Sequence, residues 1–225
     1  MYFGPGWWLL VPGMLLMFWA QIQIKSTYGR YSQVASSLGV TGAQAARQIL
    51  DNNGLHDIAV EAVPGELSDH YDPSAKAVRL SEGNFYSNSV AAVAVAAHEC
   101  GHALQDAKGY WPMNVRAALV PAANIGSSVG PMLVMAGIFF SSFSFLANIG
   151  ILLFAAAFLF HVVTLPVEFD ASSRALKIVD GEMLQGEENQ GARRVLTAAA
   201  WTYVATTLYS LLQLIQLLML RNNNR

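Results

Sequence analysis

The sequence predicts a mainly α-helical integral membrane protein with about four transmembrane helices, a cytosolic helix that carries two histidines, and a small β-hairpin. Three observations lead to this prediction. The 225 residues are 54% hydrophobic and only 12% charged, whereas soluble domains contain about 25% charged residues. Four stretches are apolar over roughly the 20 residues that cross a bilayer. The basic residues are concentrated in two of the segments between those stretches, which indicates a fixed orientation in the membrane.

The four apolar stretches are the predicted transmembrane spans. They comprise residues 7–24, 117–140, 145–163 and 195–220. The first is preceded by no basic residue and contains no clear small-x-small cleavage site. We therefore expect it to be a retained anchor rather than a cleaved signal peptide. Trp7, Trp8 and Trp19 flank it, as interfacial side chains do.

These spans divide the chain into five predicted segments. They are an N-terminal anchor at 1–24, a cytosolic segment at 25–116, a transmembrane helical hairpin at 117–165, a second cytosolic segment at 166–194, and a last transmembrane helix with a polar tail at 195–225. The two cytosolic segments contain eleven of the 13 Lys and Arg residues. The positive-inside rule therefore places both of them on the cytoplasmic side, with both chain termini on the other side.

The first cytosolic segment contains a short predicted helix. Thr41 and Gln44 have the spacing of a capping box, in which each side chain bonds the backbone N–H of the other residue. The helix is predicted to run to about Asn52, because Asn53-Gly54 is a typical helix end.

Two strands are predicted to follow this helix. Residues 58–63 are mainly apolar, and residues 76–80 alternate polar and apolar side chains as a half-buried strand does. Residues 69–74 have the composition of a turn. We expect the two strands to form a small hairpin in which residues 76–80 provide an exposed edge.

The next predicted helix, over residues 90–107, carries the sequence His98-Glu99-Cys100-Gly101-His102. Residues four apart lie on one face of a helix, so both imidazoles can hold one metal ion. Imidazoles suit Zn²⁺, which in catalytic sites takes three protein ligands and a water molecule. Glu99 would lie beside that water and accept its proton. The motif therefore predicts one zinc ion per chain and hydrolysis of peptide bonds, with Glu99 as the catalytic base.

The residues around this motif favour a metal site over a simple polar helix face. Residues 89–97 are small and mostly apolar, as in a helix packed closely by its neighbours. Unpaired His and Glu side chains would be costly in such a helix. Gly101 also indicates a close contact, because a helix glycine costs about 1 kcal/mol relative to alanine unless something packs against it.

A third ligand on the same side of the membrane must be separated from His98 by an even number of spans. Glu168 follows the third span, shortly after Pro166 at a predicted helix start. A carboxylate that close to a bilayer is usually functional, so Glu168 is the predicted third ligand. Two alternatives stay open. Asp170 lies roughly 200° further round the helix, and His161 lies about 10 Å away if the helix continues through the proline, which we do not expect.

Cysteine content and charge exclude other kinds of site. Cys100 is the one cysteine, so the chain has no internal disulfide, and we expect this residue to be a buried packing group. The net charge of -2 and the absence of a basic cluster argue against a nucleic-acid partner.

Several stretches of the sequence resemble the YugP-like neutral zinc metallopeptidases of bacterial membranes. They are Ser26-Thr27-Tyr28, Asp69-His70-Tyr71-Asp72-Pro73, Leu80-Ser81-Glu82, residues 98–105, residues 165–172 and Thr202-Tyr203-Val204-Ala205. This family is distantly similar to the HtpX-like and CAAX-endopeptidase membrane proteases. The resemblance covers nearly the whole chain and implies a zincin-like helix, zinc on His98, His102 and Glu168, Glu99 as general base, and a location in the bacterial plasma (inner) membrane.

The chain departs from the wider group at one position. There the ligand Glu is usually followed four residues later by an Asp that orients a ligand His, whereas this chain has Ser172. The partners of the two imidazoles are therefore not identified by the sequence. Candidates for stabilising the oxyanion are His70, Arg174 and Tyr203.

The predicted function is that of a membrane-embedded zinc metalloendopeptidase with its active site facing the cytoplasm. Its partners would be the lipid bilayer and a peptide or protein substrate, which we expect to be membrane-associated because the site is. Residues 76–80 are the predicted edge for an extended substrate. A non-catalytic scaffold stabilised by zinc is the alternative. A transporter is disfavoured, because the spans contain very few ionisable side chains.

Overall fold

A computed structural model describes residues 5–223. The start of the predicted anchor, residues 1–4, and the end of the predicted polar tail, residues 224–225, lie outside the described residues. Within the described range the chain forms seven α-helices and a three-stranded β-sheet. The helices are α1 (Leu10–Tyr31), α2 (Gly42–Asn52), α3 (Glu82–Phe85), α4 (Val90–Ala107), α5 (Trp111–Phe139), α6 (Phe145–Glu182) and α7 (Glu187–Asn222), and the strands are β1 (Ala59–Val63), β2 (His70–Asp72) and β3 (Ala77–Ser81).

Four of the helical stretches are long and apolar enough to cross a membrane. They are Trp7–Tyr31, Trp111–Phe139, Phe145–Asp180 and Glu187–Asn222. They match the four apolar stretches found in the sequence, although the second helical stretch ends one residue earlier than predicted, at Phe139. The prediction of a mainly helical membrane protein with about four spans is thus confirmed. The five segment boundaries drawn from the sequence stay predictions.

The described residues divide into two compact units. One comprises the chain up to Gln21, Trp111–Pro166 and the chain from Thr202 onward. The other comprises Ile22–Tyr110 and Val167–Trp201. The first contains most of the apolar helical residues, and the second contains α2, α3, α4 and the sheet.

Small residues allow α5 and α6 to approach closely in the first unit. A Cβ on Gly130 would lie 2.9 Å from the carbonyl oxygen of Gly150, and one on Gly150 would lie 2.8 Å from the nitrogen of Val134. Glycine at membrane-helix interfaces permits such backbone contact. Phe154 and Val134 then pack together with Leu217 of α7 as a buried cluster.

The helix α6 continues through Pro166, contrary to the expected break. Pro166 lies inside Phe145–Glu182, so Glu168 is in the middle of a long helix rather than at the start of a new one. Proline removes a single backbone N–H, and long membrane helices tolerate it where neighbouring groups compensate. Composition alone could not distinguish this case from a helix end.

The two predicted strands are present, but the predicted pairing between them is wrong. β1 runs parallel to β3, with Ala59 opposite Ala77 and Val63 opposite Ser81. The hairpin is formed instead by β2 and β3, which pair antiparallel. The strand order is β1-β3-β2. β3 is therefore the central strand, and the prediction that residues 76–80 form an exposed edge is also wrong.

The turn between β2 and β3 explains this arrangement. Asp72 Oδ1 accepts hydrogen bonds from the backbone N–H groups of Ser74 (2.9 Å) and Ala75 (3.1 Å). Lys76 completes the turn with a φ of 51°. Because a side chain that bonds the backbone two residues on closes a tight turn, β2 occupies one side of β3 and leaves only the other side for β1.

The short helix α2 has the predicted capping box. Thr41 is the N-cap, its side chain accepts from the Gln44 N–H, and the Gln44 side chain accepts from the Thr41 N–H. Gly54 follows the helix with a φ of 75°. α2 packs on α4, where the buried Cys100 thiol donates to the Ala46 carbonyl at 3.6 Å. Cys100 is thus a packing residue, as predicted.

Candidate metal centre

The candidate metal centre lies where α4 crosses α6, within the second unit. The N-terminus of α4 is fixed by Ser89, whose side chain accepts from the Ala92 N–H. Gly101 permits the crossing, since a Cβ at that position would lie 2.6 Å from the Ala171 carbonyl oxygen. Real Cβ atoms essentially never come that close, which confirms that a neighbour packs against this glycine. Gly101 lies between the two motif histidines, and Ala171 lies three residues after Glu168.

His98, His102 and Glu168 converge at this crossing. Their ligand atoms all lie within 4.8 Å of one another, and they are the group of three metal-binding side chains found among residues 5–223. Glu168 Oε2 lies 3.2 Å from His98 Nε2 and 3.5 Å from His102 Nε2. Glu168 and His102 are only 2% and 7% exposed.

The donor set and its spacing fit a zinc ion. Two imidazole nitrogens and a carboxylate are ligands that zinc takes in catalytic sites. Two ligands of one tetrahedral zinc ion, each about 2.0–2.1 Å from the metal, lie about 3.4 Å apart. The two distances from Glu168 Oε2 to the histidine Nε2 atoms match that separation. These three residues are therefore the side chains of the described chain that are suited to hold zinc together.

The two alternative ligands considered from the sequence are placed elsewhere. Asp170 accepts hydrogen bonds from Gln105 Nε2 (2.9 Å) and Arg174 Nε (2.6 Å). His161 lies seven residues before Glu168 in α6, about 10 Å along the helix axis, and belongs to the other unit. Neither is a member of the three-residue cluster.

Glu99 lies beside this cluster in a buried position. It is 7% exposed, and burial raises the pKa of its carboxyl above the usual value. The imidazoles of His98 and His102 lower the pKa of Glu99, and the Glu168 carboxylate raises it. A raised pKa makes a carboxylate a stronger proton acceptor. The role of Glu99 as the catalytic base stays a prediction.

Two side chains for which the sequence predicted no role contact the Nδ1 atoms of the imidazoles. Ser172 Oγ lies 3.2 Å from His98 Nδ1, so the serine that replaces the expected Asp still reaches a motif histidine. Gln105 Oε1 lies 2.9 Å from His102 Nδ1. Its position three residues after His102 was a usable signal, because residues three apart share a helix face.

Three separated sequence stretches meet in one partly buried hydrogen-bond network. The Tyr28 hydroxyl donates to Asn84 Oδ1 at 2.8 Å, and Asn84 Nδ2 donates to Asp69 Oδ2 at 3.0 Å. Asp69 Oδ1 also accepts from the Ser81 N–H at 2.8 Å. The negative charge of Asp69 contributes to the raised pKa of Glu99. The network therefore ties α1, α3 and β3 together near α4.

The three oxyanion candidates have the following environments. His70 lies on β2, with its Nδ1 2.8 Å from the Ser68 carbonyl oxygen. Arg174 donates to Asp170 and lies over the Tyr110 ring, 5.9 Å from its centroid. Tyr203 is part of the first unit. Their role in stabilising an oxyanion stays a prediction.

Comparison with known proteins identifies the family. Residues 6–222 match the family model described as "Putative neutral zinc metallopeptidase". The chain is 46% identical over 218 residues to the protein named "Putative membrane protease YugP" from Bacillus subtilis (strain 168), and the match covers 96% of both chains. No solved structure matches the chain. The resemblance predicted from the sequence is thus confirmed, and this membrane protein belongs to the neutral zinc metallopeptidase family.

Proposed function

We propose that this protein is a zinc-dependent endopeptidase of the bacterial plasma membrane. His98, His102 and Glu168 would hold one zinc ion per chain, and Glu99 would be the catalytic base. The observation that carries the proposal is the convergence of two imidazole nitrogens and one carboxylate oxygen within 4.8 Å of one another, beside a second buried carboxyl group, that of Glu99. A zinc ion bound there would supply a Lewis acid that activates water and polarises the scissile carbonyl.

Glu99 has two tasks in this mechanism. As a carboxylate it takes a proton from the attacking water, and as a carboxylic acid it returns that proton to the leaving amine. The burial that raises its pKa makes the carboxylate a stronger proton acceptor, and the same group can then return the proton as an acid. His98 and His102 keep their Nδ1 atoms turned to Ser172 and Gln105, which leaves both Nε2 atoms directed at the cluster.

Metal removal tests the proposed activity. Purified protein in detergent is incubated with a mixture of internally quenched peptides, and hydrolysis is followed by fluorescence. We expect 1,10-phenanthroline to stop hydrolysis, and added zinc to restore it at about one ion per chain, because one site holds the metal. Hydrolysis that continues in zinc-free protein would contradict the proposal. Stoichiometric zinc without hydrolysis would favour the scaffold alternative.

The site is proposed to face the cytoplasm because the second unit contains most of the basic residues. Variants with one added cysteine test this, because the native Cys100 is buried and should not react with the label. Ser74 and Ser144 are both exposed, and Ser144 lies between the second and third spans. We expect a membrane-impermeant maleimide to label Ser144→Cys in intact spheroplasts, and Ser74→Cys only after lysis. Labelling of Ser74→Cys in intact spheroplasts would show that the site faces the opposite side of the membrane.

The natural substrate is proposed to be a peptide or protein at the membrane, because the chain that carries the site is a membrane protein. Recovery of new peptide N-termini from solubilised bacterial membranes, compared with the soluble fraction, tests this. Preferential cleavage of soluble proteins would contradict it.

A further inference from the structure

Gln105 is a polar side chain with no exposure to solvent, although it belongs to neither the ligands nor the base. Its exposed fraction is 0%. Burying an amide is costly unless its donors and acceptor are all satisfied. The Nε2 group of Gln105 donates to the Val167 carbonyl (2.8 Å) and to Asp170 Oδ2 (2.9 Å), and Oε1 lies 2.9 Å from His102 Nδ1. The amide is thus fully bonded at both ends.

The partners of Gln105 determine which way the amide points. The Val167 carbonyl can only accept a hydrogen bond, and so can the ionised Asp170 carboxylate. Both therefore require the NH₂ end of Gln105, which has two protons to donate. The reverse orientation would place the amide oxygen against two other oxygens. Oε1 must consequently face His102.

This orientation determines the tautomer of His102. An amide oxygen can only accept, so the Nδ1 atom that faces it must carry the proton. In the neutral imidazole the other ring nitrogen, Nε2, then has the free lone pair. Nε2 is the atom that lies 3.5 Å from Glu168 Oε2, on the side where the ligand atoms converge. Metal ligation requires that tautomer.

Arg174 supports the far end of this chain of bonds. Its Nε donates to Asp170 Oδ2 at 2.6 Å, on the same oxygen that accepts from Gln105. The guanidinium keeps Asp170 ionised and directed at the amide, because a charge-assisted hydrogen bond favours the carboxylate. Asp170 thus acts on His102 through Gln105, which explains how an acid on a different face of α6 from Glu168 can contribute to the site.

The Nδ1 atom of His98 has no equivalent constraint. It lies 3.2 Å from Ser172 Oγ, and a hydroxyl can donate or accept. Ser172 therefore stabilises either tautomer of His98. The two histidines are held differently, one by a rotatable hydroxyl and the other by an amide whose orientation is locked.

We propose that Gln105 is the positioning residue for zinc binding: oriented by Val167 and Asp170, it holds His102 in the tautomer whose Nε2 can bind the metal. This inference rests on the proposed function, because the tautomer of His102 affects activity only if His102 binds zinc. The orientation itself follows from contacts in the protein. A group that hydrogen-bonds the ring nitrogen not bound to zinc commonly contributes about 10–100-fold to metal affinity.

The test measures zinc affinity by competition with a chelating dye. It measures the tautomers of the histidine rings by long-range ¹H–¹⁵N NMR of zinc-free protein in detergent, at a pH high enough that His102 is neutral. Gln105→Met preserves the side-chain length and removes all three hydrogen bonds. We expect its zinc affinity to fall by about 10–100-fold, and its His102 signal to show a mixture of tautomers. Gln33→Met is the matched control, because Gln33 is exposed and lies outside the cluster, and we expect the same substitution there to leave zinc affinity unchanged.

Asp170→Ala provides a second variant at a half-buried position, in case Gln105→Met does not fold. It leaves the NH₂ group of Gln105 bonded to the Val167 carbonyl but not to a carboxylate, so we expect a smaller loss of zinc affinity in the same direction. A single Nδ1–H tautomer of His102 and unchanged zinc affinity in a folded Gln105→Met or Asp170→Ala protein would overturn the inference. Wild type that binds zinc with His102 in this tautomer but does not hydrolyse peptides would instead refute the proposed function.

Discussion

Glu99→Gln is expected to keep its zinc and to lose peptide-bond hydrolysis by about 10²–10⁴-fold, the usual contribution of a general base. The substitution conserves the size of a buried side chain and leaves the three ligands in place. It removes the carboxyl group that is proposed to accept a proton from water and return it. The amide of glutamine does not titrate in this range, so it cannot take over the proton transfer proposed for the Glu99 carboxyl.

The measurement combines initial rates on internally quenched peptides with zinc content from the same preparation. Glu66→Gln is the control, because Glu66 is an exposed acid in the loop after β1, and we expect its rate and zinc content to match those of wild type. Equal hydrolysis by Glu99→Gln and wild type would mean that another group is the base.

The second large effect is expected at the third ligand. Glu168→Gln replaces a carboxylate oxygen with a neutral amide that is a far weaker zinc ligand, and we expect zinc content to fall from about one ion per chain to near zero after dialysis, with hydrolysis lost in parallel. Glu168 is 2% exposed, and the isosteric change avoids leaving a cavity. Circular dichroism should show that the helices are retained.

The sequence predicted those parts of the structure that depend on local spacing. The helix predicted over residues 90–107 has the bounds observed for α4, Val90–Ala107, because Ser89 caps its first turn. The capping box of α2 follows from residues three apart in the same way. The meeting of His98, His102 and Glu168 was also predicted, because two histidines four apart define a face and a span count restricts where the third ligand can lie.

The features that the sequence did not predict depend on contacts between distant residues. A strand pattern does not specify its partner, so the parallel pairing of β1 with β3 was missed. The effect of Pro166 depends on what surrounds α6, which composition does not reveal. Gln105 was overlooked because its role requires Val167 and Asp170, more than sixty positions away. Only its spacing from His102 was visible in the sequence.

The central claim is that His98, His102 and Glu168 hold a zinc ion, and zinc content per chain tests it most directly. Elemental analysis would be made on detergent-purified wild type, on Glu168→Gln and on Glu66→Gln after the same dialysis. The structure predicts about one zinc per chain in wild type and in Glu66→Gln, and near zero in Glu168→Gln. Wild type without zinc, or Glu168→Gln with as much zinc as wild type, would contradict it.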